Sequence, residues 1–224
     1  MNTTIISAKG IEKTYGTTKA LRSVNLDVRS GEILSVMGPS GSGKTTLLHS
    51  LAAITSIDSG EIIFDNKRID TLSDNARTRL RRQAFGFVFQ FSQLVPELTA
   101  LDNVALPLLL NGAKRKAAYT EARKWLAEVD LQSQANSLPG ELSGGQVQRV
   151  AIARAMIAQP KILFADEPTG SLDSRNSTAV MELFIGAAKE HGTTVIMVTH
   201  ESSVAEYADR TIIVRDGHIT EGNS

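Results

Sequence analysis

Residues 38–45 read GPSGSGKT, and no other stretch constrains the fold and chemistry of this chain as tightly. Gly38, Pro39, Ser40, Gly41, Ser42, Gly43, Lys44 and Thr45 match the pattern G-x-x-x-x-G-K-[ST], and Thr46 carries it into the next turn. Background composition produces that four-position pattern by chance in roughly one chain in a hundred of this length. The context is the one a phosphate-binding loop requires: a predicted strand over 32–37 ahead and a predicted helix from 44 to about 54 behind. Leu47, Leu48, Leu51 and Ile54 form the apolar stripe of that helix. Glycines let the backbone wrap until several N–H groups face phosphate oxygens, and the helix N-terminus adds partial positive charge. The pattern therefore predicts a nucleoside triphosphate site in which Lys44 reaches the β- and γ-phosphates and the Thr45 hydroxyl binds Mg²⁺.

The rest of the chain supplies a fold to carry such a loop. Its 224 residues suffice for one sizeable domain with an embedded subdomain. Short strands are predicted over 5–11, 24–28, 32–37 and 61–64, with turn signals at Tyr15-Gly16, Ser30-Gly31 and Asp58-Ser59-Gly60. From about 91 to 157 strand-like runs are scarce. Helical spacing of Trp125, Leu126 and Val129 predicts a helix over 117–129, and Val150, Ala153 and Ile157 predict another over 146–157. The last third alternates: strands over 162–165, 194–198 and 211–214, with helices over 174–190 and 202–208. Val180, Leu183, Phe184 and Ala187 are the expected inward face of helix 174–190, and Gly192 its stop. The expected fold is α/β: a phosphate-loop NTPase core with a mainly parallel sheet, an N-terminal antiparallel β-subdomain and an inserted helical subdomain. Residues 1–90 and 158–224 form the core in this reading, and 91–157 the helical insert, within one domain spanning 1–224.

Charge and composition narrow the partners. Twenty-four basic residues balance 24 acidic ones, so no global positive field points to nucleic acid. There is no cysteine, hence neither disulfides nor thiolate metal sites. The start lacks the basic-then-apolar pattern of a secretory signal. The apolar run 104–110 is broken by Pro107, whereas a bilayer crossing takes about 20 residues. The expectation is a cytoplasmic chain without a membrane span of its own. The basic run 77–82, RTRLRR, is expected to be a solvated helical face, with lipid headgroups or a membrane partner as the alternative.

Two further motifs carry chemistry. In residues 162–167, ILFADE, four apolar residues make a buried strand that ends in Asp166 and Glu167. Asp166 is placed to hold Mg²⁺ through water, and Glu167 to polarise a water for attack on the γ-phosphate. Leu142-Ser143-Gly144-Gly145-Gln146 then opens the predicted helix 146–157, a second glycine-containing helix N-terminus and so a second possible anion site.

With these residues the sequence resembles the ATP-binding cassette (ABC) family, whose signature is LSGGQ, and the resemblance covers the whole chain. It implies an ATPase that works as a homodimer, with the signature of one copy (Ser143, Gly144, Gly145, Gln146) capping the ATP held by the phosphate loop of the other. It also implies Tyr15 in KTYG as the residue stacking on adenine, and Gln90, after the apolar run 85–89, as a contact to Mg²⁺ and water. Asp173 in GSLD matches the loop by which the two copies sense each other, with helix N-cap as its simpler role, and His200 matches the γ-phosphate contact. His49, His191 and His218 have no such placement. ATP and Mg²⁺ are the implied ligands. A second copy and an integral membrane permease are the implied partners, holding the chain at the cytoplasmic face of the membrane.

Segments 87–90 (FVFQ), 94–99 (LVPELT) and 103–108 (NVALPL) are similar to one branch of the family, which serves lipoprotein release, drug and antimicrobial-peptide export, haem efflux and cell-division signalling. Asp102 stands where the family more often has glutamate. The function the resemblance implies is an ATPase driving a separate permease for efflux or mechanical transmission. A nucleotide-gated ATPase of a division complex is the alternative. Cassette proteins that act on ribosomes or DNA usually carry two cassettes or a long coiled-coil insertion, and neither is present.

Overall fold

The computed structural model describes residues 3–221. The chain forms two compact units, one built from residues up to Arg81 together with those from Gly192 onward, the other from Arg82–His191.

In the first unit, strands β1 (Thr4–Tyr15) and β2 (Thr18–Arg29) form a long antiparallel hairpin closed by Tyr15 opposite Thr18. Both strands exceed the predicted 5–11 and 24–28. Shifts in the β1–β2 register between Ala8 and Ile11 and between Ile11 and Lys13 break the period-two pattern by which a strand is read. β4 (Ser59–Phe64) and the short β5 (Lys67–Arg68) extend this antiparallel sheet in the order β2-β1-β4-β5. The unit's second set of strands is mainly parallel. β3 (Ile33–Met37) lies between β8 (Thr194–Val198) and β9 (Arg210–Arg215), parallel to both, and β10 (His218–Glu221), which the sequence reading missed, pairs antiparallel with β9. β8 is buried along its whole length, as its unbroken apolar run requires in a parallel sheet.

Helix α1 (Lys44–Leu51) follows β3 and buries Leu47, Leu48 and Leu51 as predicted. It ends three residues earlier than expected. Ala53 adopts φ 53°, the Ile54 N–H donates to His49 O, and the Ala53 N–H donates to Ser50 O. This is the paired closing turn of a helix with a left-handed residue just past its end. Ile54 thus leaves the stripe and is 41% exposed. The short helix α7 (Ser202–Ala205) stops before the predicted residue 208. Helix α2 (Asp74–Ala84) buries no residue, but the basic run is solvated only in part: Arg79 and Arg82 are exposed, whereas Arg77 and Arg81 are half-buried and donate to Leu72 O and Ala53 O.

The second unit contains β6 (Phe85–Phe89) and β7 (Ile162–Asp166), which run parallel, with helices α3 (Ala100–Leu110), α4 (Arg115–Glu128), α5 (Gly144–Met156) and α6 (Ser174–Glu190). The segment 91–157 lies wholly within it. Phe164 packs edge-on against Phe85 at 5.1 Å between centroids and stacks with Phe87 at 5.8 Å. Burying each such ring stabilises the fold by about 1.5–3 kcal/mol. Trp125, Leu126 and Val129 are buried as the periodicity predicts. On α6 the buried series is Val180, Met181, Phe184, Ile185 and Ala188, so Leu183 and Ala187 flank the inward face instead of forming it. Gly192, at φ 63°, follows the C-cap His191 and stops α6. His191 packs against the Trp125 ring, with Glu128 3.5 Å from its Nε2.

Candidate functional site

In the first unit, β3 delivers the chain directly into the phosphate-binding loop. Gly38, at φ 144°, passes so close to β9 that a Cβ there would stand 2.0 Å from Val214 O. Gly43, at φ 108°, is the N-cap of α1, and a Cβ on it would stand 2.3 Å from Ala20 O. Both positions need glycine for conformation and for space. Lys44 is buried, and its Nζ donates to Gly38 O (2.8 Å) and Pro39 O (2.9 Å), so the ammonium lies across its own loop. The Ser42 hydroxyl is buried without a hydrogen-bond partner. An orphaned hydroxyl inside a glycine cradle beside a buried ammonium is the donor set that suits a phosphate. Thr45, at the first turn of α1, is exposed.

β8 pairs with β3 in register, Val36 opposite Val198, and the Thr199 N–H donates to Val36 O. His200 therefore emerges at the same strand ends as the loop, the edge at which parallel sheets place ligands. Tyr15 sits at the tip of the β1–β2 hairpin, 50% exposed, with the Lys13 ammonium 5.4 Å from its ring centroid. An exposed ring of this kind is available for stacking.

In the second unit, β6 and β7 end together, Phe89 opposite Asp166. Gln90 and Glu167 are the residues that follow each. A Cβ built on Gly170 would lie 2.9 Å from Gln90 Nε2 and 3.2 Å from Glu167 Oε2, so this glycine leaves room for both side-chain ends. Glu167 holds φ 48°, a left-handed conformation that costs a non-glycine residue on the order of 1–3 kcal/mol and that clusters at functional sites.

The signature segment opens α5 earlier than the sequence reading placed it. The helix begins at Gly144 with Ser143 as N-cap. Ser143 Oγ accepts from the Gln146 N–H, and the Ser143 N–H donates to Gln146 Oε1 at 2.8 Å. That reciprocal cap leaves the N–H groups of the two glycines at a helix N-terminus, where an anion is favoured. Asp173 caps α6 by accepting from the Asn176 N–H at 3.0 Å, which also holds its carboxyl below the ordinary range. Among the described residues no group of three His, Cys, Asp or Glu side chains is arranged to hold a metal ion.

An ABC transporter family profile matches residues 21–170. The chain belongs to the ABC transporter family. Over 223 residues it is 42% identical to the lipoprotein-releasing system ATP-binding protein LolD 2 of Caulobacter vibrioides, covering 98% of each chain. It is 46% identical to the ABC transporter ATP-binding protein MJ1508 of Methanocaldococcus jannaschii, over 97% of this chain and 98% of the relative. Among solved structures, the dimeric ABC transporter cassette MJ0796 superposes with a TM-score of 0.88 at 40% identity, over 98% of this chain and 99% of that one. MJ0796 is also known as a dimer bound to ADP and Pi in a post-hydrolysis state, with a TM-score of 0.88 at 39% identity. This protein is thus an ATP-binding, ATP-hydrolysing ABC cassette, with the phosphate-loop α/β fold its sequence predicts. Among its described residues no helix is long and apolar enough to cross a membrane.

Two residues beside the site escaped the sequence reading. Gly170 was read only as the first residue of the segment GSLD, with no role of its own. Gln148 gave a faint signal, a polar side chain in the buried stripe of α5, where it is 1% exposed.

Proposed function

We propose that two copies of this cassette close head-to-tail around two ATP molecules and drive a separate integral membrane permease from the cytoplasmic face of the membrane. The observation that carries this reading is the phosphate loop, with its glycine cradle, its buried Lys44 and the unpartnered Ser42 hydroxyl. Dimeric relatives and lipoprotein-releasing relatives support the pairing and the permease. The transport is efflux or mechanical transmission, with haem, a drug, a peptide or a lipoprotein as cargo.

The residues divide the work. Tyr15 stacks on adenine, and Lys44 with the N–H groups of residues 38–46 grips the phosphates. Thr45, Gln90 and Asp166 offer hydroxyl, amide and carboxylate oxygens, a donor set that fits a hard cation such as Mg²⁺. When bound, that ion shields phosphate charge. Glu167 accepts a proton from water as the water oxygen bonds to the γ-phosphorus. The bond from the γ-phosphorus to the bridging oxygen breaks, and ADP and phosphate are released. His200 contacts the γ-phosphate, while Ser143, Gly144, Gly145 and Gln146 of the second copy cap it. Asp173 lies in the loop that links the two sites.

Calorimetric titration of Mg-ATP into wild type and Lys44→Ala tests the carrying observation. The variant should keep its fold and lose tight ATP binding, because Lys44 supplies charge to the phosphates. Equal affinity in the two proteins would place the nucleotide elsewhere.

A further inference from the structure

Gln148 occupies a position in α5 where an apolar residue would pack, yet its side-chain amide is fully used. Its Nε2 donates to Phe89 O at 3.2 Å and to Pro168 O at 2.6 Å, and its Oε1 accepts from the Ser92 hydroxyl. The partners fix the amide orientation: two carbonyls can only accept, so the NH₂ faces them, and the hydroxyl supplies the proton for Oε1. Phe89 immediately precedes Gln90, and Pro168 immediately follows Glu167. One buried amide thus holds the backbone next to both side chains that surround Gly170. Arg154, two turns further along α5, donates to Ser92 O (2.6 Å) and Gln93 O (2.8 Å), gripping the same turn after Gln90.

We infer that Gln148 is a positioning residue for hydrolysis: through it the signature helix sets, at once, the backbone just before Gln90 and just after Glu167. The chain of contacts runs from Ser143, which caps the N-terminus of α5, down the rigid helix to Gln148, and from its amide to the two strand ends. A signature segment pulled toward or away from a nucleotide moves these two carbonyls with it. The effect falls on hydrolysis more than on ATP binding, because the groups that Gln148 bonds, Phe89 O, Pro168 O and the Ser92 hydroxyl, are not among those that grip the phosphates. The inference rests on the reading of Glu167 as the group that activates water.

The test compares Gln148→Met, which keeps side-chain length without donor or acceptor, with wild type and with Glu167→Gln. Phosphate release gives kcat, and a fluorescent ATP analogue gives Kd. In Gln148→Met kcat should fall about 10- to 100-fold with Kd within about twofold, the loss expected when reacting groups shift by up to an ångström. Should that variant fail to fold, Ser92→Ala removes only the hydroxyl that orients the amide. It should lower kcat roughly fivefold at unchanged Kd, the worth of one hydrogen bond. Wild-type kcat in a folded Gln148→Met, or in Ser92→Ala where the first does not fold, overturns the inference, as does a loss of kcat matched by a loss of ATP affinity. Wild-type hydrolysis by Glu167→Gln would instead overturn the reading of Glu167, so the two failures are distinguishable.

Discussion

Phe89 and Asp166 are directly paired across two parallel strands, so the residues that follow them, Gln90 and Glu167, leave the sheet side by side. Gly170 lies against both side-chain ends. A methyl group on Gly170 would crowd the tip of Gln90, a flexible end that can swing away without cost to the core. Gly170→Ala should therefore fold normally and bind ATP normally, yet hydrolyse it about tenfold or more slowly as both tips are displaced. Steady-state hydrolysis with parallel ATP titration checks this, and unchanged kcat would mean the Gln90–Glu167 arrangement is not the working one.

The signature helix offers a cleaner test at Gly144 than at Ser143. Replacing Ser143 removes the reciprocal cap and costs on the order of 1 kcal/mol of helix stability, which confounds any loss of activity. Gly144 is the first helical residue, and a Cβ there would meet only Leu172 Cδ2, at 3.3 Å. An aspartate at that position suits the helix dipole, so Gly144→Asp should keep its melting temperature. It should still bind ATP as a single copy and lose hydrolysis, because its carboxylate would meet phosphate in the partner's site. Normal turnover by this variant would contradict a composite site.

Asp102 supplies a prediction about stability. Its carboxylate accepts from the Thr99 hydroxyl and N–H in the capping box of α3 and from the Tyr119 hydroxyl of α4, and these bonds, that from the Thr99 hydroxyl foremost, hold its pKa below the ordinary range. A depressed folded-state pKa means the contribution is complete above the unfolded value of about 4 and is lost as pH falls through the folded value. Asp102→Asn should destabilise the protein by about 1–2 kcal/mol at pH 7, and the gap to wild type should narrow below about pH 4. Urea unfolding of the two proteins at pH 7 and pH 3.5 reads this out. A gap that persists or widens in acid would remove the ionised carboxylate from the account.

The fold and site were legible where short-range chemistry determines them, and obscure where distant residues meet. The glycine loop between a strand and a helix announced itself, as did the buried strand Ile162–Asp166 and the inward residues of α4. α3 was missed because Pro107 lies inside it, although Thr99 and Asp102 stand at the spacing of a helix cap and mark its start. Ser143 and Gln146 carried the same signal at α5 and were read only as part of a motif. The length of the first hairpin was hidden by its register shifts. Gln148 could not be read at all as a junction, because Phe89, Ser92 and Pro168 reach it only through the fold.

The central claim, a homodimer whose ATP is hydrolysed with Glu167 as base, is tested most directly by the mass of Glu167→Gln in Mg-ATP. The amide keeps the size and hydrogen bonding of Glu167 and removes the base, so hydrolysis should fall by about 10²–10⁴-fold. Lys44, Thr45 and Asp166 are untouched, so ATP should still bind, and without product formation nothing reopens the closed pair. Light scattering of the variant should therefore report twice the monomer mass with Mg-ATP and the monomer mass without it, while wild type returns to monomer as ATP is consumed. A variant that stays monomeric in Mg-ATP, or that hydrolyses it at the wild-type rate, would contradict the account.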